Sequence, residues 1–366
     1  MKIYFKIPSF SLVYKFFDLK NFILLISVLG LIPAYLKLKR LENELKIPNA
    51  MRVDNDPQKP IIFVGGVPRS GSNVMKLLLD AHHDIQCADE TQVFPSFFAN
   101  LKERFKVNLP NQILHRNGIT RDLLDSSARA FIYEILHQYS NYSSNICVKE
   151  RAAFAFSIYL SRILPTSKFI LMIRDPRSVA LSLNQNFISS FTFREYYFSA
   201  DLRGSLITWN GLIDELYGQC SLVGPQKCLP VYYEQLVLHP EREMKIILKF
   251  LNIKWNDTVK HIEKILSSNL DIKNSNDRVI KKANKESLYD WQGRIPLDIS
   301  QELDTIAPMM KKLGYDTKSE RPDYKKPDQQ TLDKNFRSKE ALEELTKKFY
   351  LFLNTNVFAR NITIEI

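Results

Sequence analysis

Short apolar runs alternate with amphipathic segments along most of the chain after Pro60. The apolar runs predict strands at IIFVG, ICVKE, KFILMIR and CLPVYY. Segments of helical periodicity predict helices at VMKLLLDAH, LLDSSARAFIYEILHQY, AAFAFSIYLSRIL and EREMKIILKFL, with another helix after KFILMIR. Strands that alternate with helices are typical of a parallel sheet covered on both faces. We therefore predict an α/β fold with a P-loop-like parallel sheet flanked by helices, and ligands at the carboxyl ends of its strands.

The N-terminal segment has a different pattern. About fifteen uncharged, mostly apolar residues lie between Asn21 and Lys37, and a basic cluster follows them. A membrane span usually takes ~17–25 residues, but the thinner membranes of the early secretory pathway accept a shorter one. A helix buried in a soluble domain is the alternative. Because no small-residue cleavage site is evident, we predict an uncleaved signal anchor at 21–37, after a cytoplasmic tail at 1–20 and before a stem at 38–59.

The charge distribution limits the classes of partner. The formal net charge is +11, and nearly half of this excess lies in residues 1–60, which contain ten Lys and Arg against five Asp and Glu. The remaining excess is too dilute to indicate binding of nucleic acid. A local basic pocket for a small anion remains compatible with it.

Cysteines and glycosylation motifs bear on the compartment. The four cysteines are Cys87, Cys147, Cys220 and Cys228. They show neither a CxxC pair nor the His spacing of a zinc site, so we predict no metal. Their even number suits two disulfides, one of them a short Cys220–Cys228 loop, and four unpaired buried thiols are the alternative. The candidate glycosylation sites are Asn141, Asn256 and Asn361. Both features favour a catalytic domain in the secretory lumen.

The first predicted strand leads into a candidate phosphate loop. Gly66 and Gly71 have the G-x4-G spacing, and the helix that follows offers unpaired N–H groups to an anion. Arg69 can bind phosphate oxygens, and Asn73 supplies a neutral donor. The lysine that a nucleoside-triphosphate site places after Gly71 is replaced by Ser72. The loop therefore suits a 5′-phosphate bearing a sulfate better than a triphosphate, and a turn that binds nothing is the alternative.

A second anion site is predicted at the end of KFILMIR. Arg174 lies at the carboxyl end of this strand, Asp175 is placed to cap the next helix, and Pro176 occupies its first position. Ser182 lies two turns into that helix. Arg174 and Ser182 can together bind a second phosphate, and pairing of Arg174 with Asp175 is the alternative.

Several segments in this order resemble the tyrosylprotein sulfotransferases, Golgi enzymes that sulfate tyrosine in secretory proteins. These segments are FVGGVPRSGSNVMKLLLDAH, CADETQVFPS, CVKE, LMIRDPRSVALSL, YYEQLVLHPER, DRVIKKAN and IAPMMKKLGYD. RDPRSVALSL is typical of many sulfotransferases, whereas CADET and YYEQLVLHPER are more specific. The resemblance implies a sulfotransferase domain at 60–325 and assigns no role to 326–366.

The resemblance also implies a co-substrate, 3′-phosphoadenosine-5′-phosphosulfate, and the residues that bind it. The 5′ end of the nucleotide would contact Arg69, Ser70, Gly71, Ser72 and Asn73. Its 3′-phosphate would contact Arg174 and Ser182. The rest of the nucleotide site would be Tyr233, Ser275, Asn276, Asp277, Arg278, Val279, Ile280, Lys281 and Asn284. The implied disulfides are Cys87–Cys147 and Cys220–Cys228.

The catalytic residues implied by the resemblance are Glu90, Lys149 and Ser275. A tyrosine phenol has a pKa near ~10, so a carboxylate must accept its proton as the bond to sulfur forms, a role that Glu90 can perform. Charge then develops on the oxygen that bridges sulfur and phosphorus, where Lys149 and Ser275 can stabilise it. Without the surrounding motifs, Glu90 and Lys149 read as ordinary surface residues.

The sequence departs from the family pattern at five positions, one of which is Asn73 in place of the second threonine of the phosphate loop. Gln92 and Ser96 replace arginines that help to bind acidic substrate near the dimer contact, and Asn186 and Asp290 replace basic residues of the nucleotide site. We expect a single-pass type II protein of the Golgi membrane that acts on tyrosines in acidic segments, with homodimerisation and acidic preference left open. The alternatives are a carbohydrate sulfotransferase and a degenerate binding protein on the same fold.

Overall fold

The computed structural model describes residues 60–91, 93–94, 97–98, 116–139, 145–185, 201–256 and 286–324. All of them belong to the second of two compact units, 56–366. The predicted tail, anchor and stem lie outside the described residues, as do Asn141, Asn361 and the nucleotide-site stretch from Ser275 to Asn284. Among the described residues, no helix has both the length and the apolar character that crossing a membrane requires.

Five parallel strands form one sheet in the order β2-β3-β1-β4-β5. The strands are β1 (Ile61–Gly66), β2 (Ile85–Ala88), β3 (Asn145–Lys149), β4 (Lys168–Ile173) and β5 (Cys228–Tyr232). The apolar runs therefore predicted four strands correctly. They missed β2, whose four residues IQCA are too short and too mixed to give a pattern of their own. The central position of β1 places the turn after it in the middle of the carboxyl edge of the sheet.

Helices connect the strands and continue after the last one. They are α1 (Ser72–Asp80), α2 (Arg121–Tyr139), α3 (Arg151–Phe154), α4 (Ser157–Ile163), α5 (Pro176–Gln185), α6 (Leu202–Val223), α7 (Tyr233–Leu238), α8 (Pro240–Leu251), α9 (Leu297–Gln301), α10 (Leu303–Ile306) and α11 (Pro308–Lys312). A 3-10 helix spans Glu286–Tyr289. Asp201 begins α6 by accepting a hydrogen bond from the Gly204 N–H. The α/β architecture predicted from the pattern is confirmed.

The segment AAFAFSIYLSRIL forms two helices where we predicted one. Phe154 is fully buried and packs edge-on against Phe169, while Phe156 packs on Phe98 with ring centroids 5.2 Å apart. In a continuous helix these two phenylalanines would point about 200° apart, because each residue turns the chain by about 100°. The break between α3 and α4 allows both rings to be buried.

Two disulfides link elements of the sheet. Cys87 and Cys147 are register partners on the neighbouring strands β2 and β3, and they are bonded to each other. The second bond joins Cys220 in α6 to Cys228 at the start of β5. Both expected pairings are confirmed, and the first fixes the strand ends that carry Glu90 and Lys149.

Residues 318–324 form a loop with exposed side chains at Lys318, Glu320, Arg321 and Asp323, and this loop returns to the interior at Tyr324. Tyr324 is 6% exposed, and its hydroxyl donates a hydrogen bond of 3.0 Å to the buried carboxylate of Asp175. The same hydroxyl accepts a hydrogen bond from Nε1 of Trp291. The buried carboxylate of Asp175 requires hydrogen-bond donors, and Tyr324 is one of them. The sequence pattern does not show that Asp175 is buried.

Candidate active site

Neighbouring residues pack closely against the two glycines of the turn after β1. Gly66 has a φ of 153°, and a Cβ there would lie 2.5 Å from the Met172 carbonyl oxygen. Gly71 has a φ of 98°, and a Cβ there would lie 2.3 Å from Cδ2 of Tyr233. Within the turn, Ser70 donates hydrogen bonds to the Val67 carbonyl from its backbone and its side chain. Both glycines predicted for the phosphate loop are therefore required by its geometry.

The start of α1 offers an anion site of the kind that the sequence predicted. Gly71 precedes the helix without any side chain to cap it, and the first turn contains no acidic residue. The N–H groups of this turn point towards the loop and favour negative charge. Arg69 has a φ of 72°, in the left-handed region that costs energy for a residue with a side chain. Such strain is frequent at ligand sites.

Arg69 connects the two parts of the predicted nucleotide site. Its Nε donates a hydrogen bond of 2.9 Å to the hydroxyl of Ser182, and its carbonyl accepts one of 3.1 Å from Nη1 of Arg174. The guanidinium of Arg174 lies 4.4 Å from the ring centroid of Tyr233. The four residues predicted from three separate segments are thus in contact, and the partner of Arg174 is not Asp175.

Asp175 instead pairs with Arg177. Its carboxylate accepts a hydrogen bond of 2.9 Å from the Arg177 N–H, as expected of a helix cap, and one of 2.7 Å from Nη2 of the same residue. Trp291 covers the guanidinium of Arg177 at 3.7 Å. This buried pair is structural and supports the start of α5 below the nucleotide site.

Lys149 reaches the phosphate loop from the neighbouring strand. Its Nζ donates a hydrogen bond of 2.6 Å to Oδ1 of Asn73, and its side chain is 7% exposed. Asp89 lies 3.8 Å from the same Nζ. The position that the resemblance assigned to a charge-stabilising lysine is therefore at the first turn of α1, where an anion would bind.

Glu90 follows β2 at the same edge of the sheet. Its two carboxylate oxygens face Arg151, with Oε1 2.6 Å from Nε and Oε2 2.8 Å from Nη2. The two side chains are 18% and 21% exposed. Next to them, the N–H and hydroxyl of Thr91 donate hydrogen bonds of 3.3 Å to the buried Glu150. Sequence reasoning missed Arg151 and Glu150, although both directly follow Lys149.

A further buried carboxylate supports the site from below. Glu234 follows Tyr233 and accepts hydrogen bonds from the Asp175 N–H at 2.8 Å and the Tyr315 hydroxyl at 2.9 Å. Burial raises the pKa of Glu234 to about 7, although the hydrogen bond from Asp175 opposes the shift. Burial also raises the pKa of Tyr315. Glu234 lies in the segment YYEQLVLHPER, but no role was predicted for it from the sequence.

His82, His83 and Asp84 lie within reach of one another in the part of the chain that the structure describes. Both ring nitrogens of His82 have partners, because Nδ1 accepts a hydrogen bond from the Asp84 N–H and Nε2 contacts the Lys254 carbonyl at 2.9 Å. Because both nitrogens of the His82 ring contact the backbone, the ring stabilises the turn before β2. We therefore assign the cluster a structural role.

Of the remaining predicted positions, two are described. Asp290 is exposed, and its carbonyl accepts a hydrogen bond of 3.2 Å from Arg294. Asn256 is half-buried, and its side-chain amide contacts Nδ1 of His83. Gln92, Ser96 and Asn186 lie outside the described residues.

The fold and the site together define a class. A sequence model of the sulfotransferase family matches residues 60–257, which is more than half of the chain. This span contains the phosphate loop, Glu90, Lys149 and all five strands. The chain is a member of the sulfotransferases.

Curated relatives narrow the class. The chain is 40% identical over 292 residues to protein-tyrosine sulfotransferase 1 of Danio rerio, and the match covers 78% of this chain and 80% of the relative. It is 39% identical over 302 residues to protein-tyrosine sulfotransferase 2 of Gallus gallus, with 80% of each chain covered. It is 41% identical over 282 residues to protein-tyrosine sulfotransferase 1 of Homo sapiens, with 75% and 74% covered. The chain belongs to the protein-tyrosine sulfotransferase family.

Proposed function

We propose that this chain transfers a sulfuryl group from 3′-phosphoadenosine-5′-phosphosulfate to the hydroxyl of tyrosine residues in secretory or membrane proteins. The observation that carries the proposal is the 2.6 Å contact between Lys149 and Asn73. It places a largely buried cation on the phosphate loop, one strand away from the carboxylate of Glu90. A cation at an anion site and a carboxylate at the same edge of the sheet are what sulfuryl transfer to a phenol needs.

The described residues fit the nucleotide. The uncapped start of α1 suits its 5′-phosphate, and Arg69 is at hand to bind the same group. Arg174 and Ser182 offer a charged and a neutral donor for its 3′-phosphate. A nucleotide with a single 5′-phosphate needs less compensating charge than a triphosphate, in agreement with Ser72 at the position of the usual loop lysine.

Glu90 is the proposed base. It accepts the phenolic proton while the tyrosine oxygen forms its bond to sulfur, and the bond from sulfur to the bridging oxygen breaks. The electron pair of that bond passes to the phosphate, and Lys149 stabilises the charge that develops there. The proton on Glu90 is then released to water. Ser275, which is outside the described residues, is proposed to donate a hydrogen bond to the same oxygen.

The proposal extends to the compartment. Two disulfides are typical of proteins that fold in the secretory pathway, where sequons such as that at Asn256 can be glycosylated. We place the enzyme at the Golgi membrane with residues 21–37 as its type II anchor and its catalytic domain in the lumen. Tyrosines in acidic segments are its proposed acceptors.

The test is transfer of ³⁵S from the labelled donor to a tyrosine peptide with Asp and Glu neighbours. We expect transfer by the wild-type chain and a loss of at least about 100-fold in kcat for Glu90→Gln, with nucleotide affinity retained. Labelling of a polysaccharide and not of the peptide would support a carbohydrate sulfotransferase. Neither transfer nor nucleotide binding would support a degenerate binding protein and contradict the proposal.

A further inference from the structure

Arg151 is committed to the proposed base. Two nitrogens of its guanidinium face the two oxygens of Glu90 at 2.6 and 2.8 Å. The Nη2–Oε2 contact is a hydrogen bond, whereas the Nε–Oε1 contact is an ion pair without hydrogen-bond geometry. Because about four-fifths of each side chain is shielded from water, the pair is partly desolvated.

The backbone around the pair is also held. Glu90 is followed by Thr91, which donates two hydrogen bonds to Glu150, the residue before Arg151. The disulfide between Cys87 and Cys147 joins the same two segments a few residues earlier. The positions of Glu90 and Arg151 therefore follow from contacts that do not involve their own charges.

The pair conflicts with the proposed role of Glu90. A carboxylate that takes a proton from a phenol has to turn an oxygen towards that phenol, and both oxygens of Glu90 face Arg151. Each oxygen keeps a second lone pair, but turning an oxygen fully towards the phenol opens one of the two contacts. A neutral substrate has no carboxylate that could replace Glu90 as the partner of the guanidinium, whereas an acidic substrate has one.

Other described cations at this edge of the sheet have different contacts, and Lys76 is among them, since it pairs with Asp80 and lies 3.8 Å from Asp89. Lys149 is directed at Asn73 of the phosphate loop, and Arg174 at the Arg69 carbonyl and the Tyr233 ring. Gln92 and Ser96 stand where the family pattern has arginines for acidic substrate. Arg151 presents a cation on the β3 side of the base, and it is 21% exposed.

We propose that Arg151 is a specificity-determining residue that exchanges the carboxylate of Glu90 for an acidic side chain next to the acceptor tyrosine. Binding of an acidic segment then releases the base, so the charge of the substrate acts on turnover as well as on affinity. This inference rests on the proposed function, because it takes Glu90 as the base.

The experiment compares two peptides around the same tyrosine, one with Asp and Glu neighbours and one with Asn and Gln in their place. We expect the ratio of kcat/KM for the acidic over the neutral peptide to fall about tenfold in Arg151→Ala. KM for the acidic peptide should rise, and kcat for the neutral peptide should be retained or increased. Arg151→Lys should keep part of the preference, since it retains the charge without the paired geometry.

Arg162→Ala is the matched control. Arg162 pairs with Asp125 at a similar distance of 3.0 Å, but at the surface and away from the site. In Arg162→Ala, the ratio of kcat/KM for the acidic over the neutral peptide should equal that of the wild type. An unchanged ratio in Arg151→Ala would overturn the inference. So would an equal loss of kcat for both peptides with unchanged KM, because that result indicates a merely structural role.

A binding measurement separates this inference from the proposed function. Peptides in which phenylalanine replaces the acceptor tyrosine cannot react, and their affinity is measured by calorimetry in the presence of 3′-phosphoadenosine-5′-phosphate. We expect Arg151→Ala to weaken the acidic peptide about tenfold and to leave the neutral one unchanged. If no tyrosine peptide is sulfated, the proposed function fails. The binding role of Arg151 then stands if the acidic phenylalanine peptide loses affinity in the variant and falls if it does not.

Discussion

The Nζ atom of Lys149 lies 2.6 Å from Oδ1 of Asn73, so the end of β3 is joined to the first turn of α1. Asn73 thereby orients the cation towards the N–H groups at the start of that helix. An ammonium group carries three donor protons, so Lys149 can keep this contact and bind an anion at the same time.

Replacing this cation should slow the chemical step. We expect Lys149→Ala to lower kcat about 100- to 1,000-fold, because a preorganised donor to the developing charge is lost. The affinity for 3′-phosphoadenosine-5′-phosphate, measured by calorimetry, should change much less. Lys245→Ala, at an exposed pair with Glu241, serves as the control and should retain full activity. A kcat within about threefold of the wild type in Lys149→Ala would contradict the assigned role.

Closing the space at Gly71 should weaken nucleotide binding. The alanine Cβ would lie 2.3 Å from Tyr233 in a backbone conformation with a φ of 98°, so the loop has to move. We expect Gly71→Ala to weaken nucleotide binding at least about tenfold by calorimetry.

Gly211 in α6 provides the control for this substitution. A Cβ at Gly211 would meet no atom from elsewhere in the described part of the chain within 4 Å. Gly211→Ala should leave nucleotide binding unchanged and stabilise the fold by about 0.5–1 kcal/mol, because alanine is the better helix former. Equal affinities in the two variants would show that the loop does not hold the nucleotide.

Glu234 should make stability depend on pH. Its pKa in the folded state is about 7, above the ordinary value of 4.5, so the folded state binds more protons between these values. Its contribution is fully present below pH 4.5 and is lost as the pH rises through 7. The loss amounts to roughly 3 kcal/mol. Urea unfolding at about pH 5 and pH 8 should show a smaller decrease in Glu234→Gln than in the wild type, and identical decreases would refute this assignment.

The two disulfides should differ in their effect on stability. Cys87 and Cys147 are 60 residues apart in sequence, whereas Cys220 and Cys228 are 8 apart. On loop-closure entropy, removing the first bond should cost about 2 kcal/mol more than removing the second. Double alanine variants of each pair, compared by denaturant unfolding, provide the measurement. A larger loss for the short loop would mean that local packing at β5 outweighs chain entropy.

Much of the fold follows from the sequence because parallel strands buried on both faces are nearly continuous apolar runs. The six residues of β1 are all buried, and their pattern is unambiguous. β2 escaped notice because four residues give too little periodicity. The break between α3 and α4 depends on the packing of Phe154 and Phe156, which make separate contacts with distant residues.

The site residues could be predicted where a short sequence motif indicates both the local structure and the chemical role. Gly66, Gly71 and Arg174 lie at or just after strand ends, and the carboxyl edge of a parallel sheet brings such residues together. Arg151 and Glu234 could not be found in this way, because their importance comes from partners far away in sequence. Arg151 is 61 residues from Glu90, and Tyr315 is 81 residues from Glu234. Only the folded chain shows that these groups meet.

Tyr324 donates its hydrogen bond to Asp175 from 149 residues further along the chain. During synthesis on the ribosome, β1, α1 and β4 therefore emerge long before Tyr324, which contacts both Asp175 and Trp291. Until Tyr324 has been synthesised, the Asp175 carboxylate lacks one of its hydrogen-bond donors. A buried carboxylate without its full set of hydrogen bonds is unfavourable. A nascent chain interrupted before this tyrosine would carry every proposed catalytic residue and would leave the buried Asp175 carboxylate without this donor.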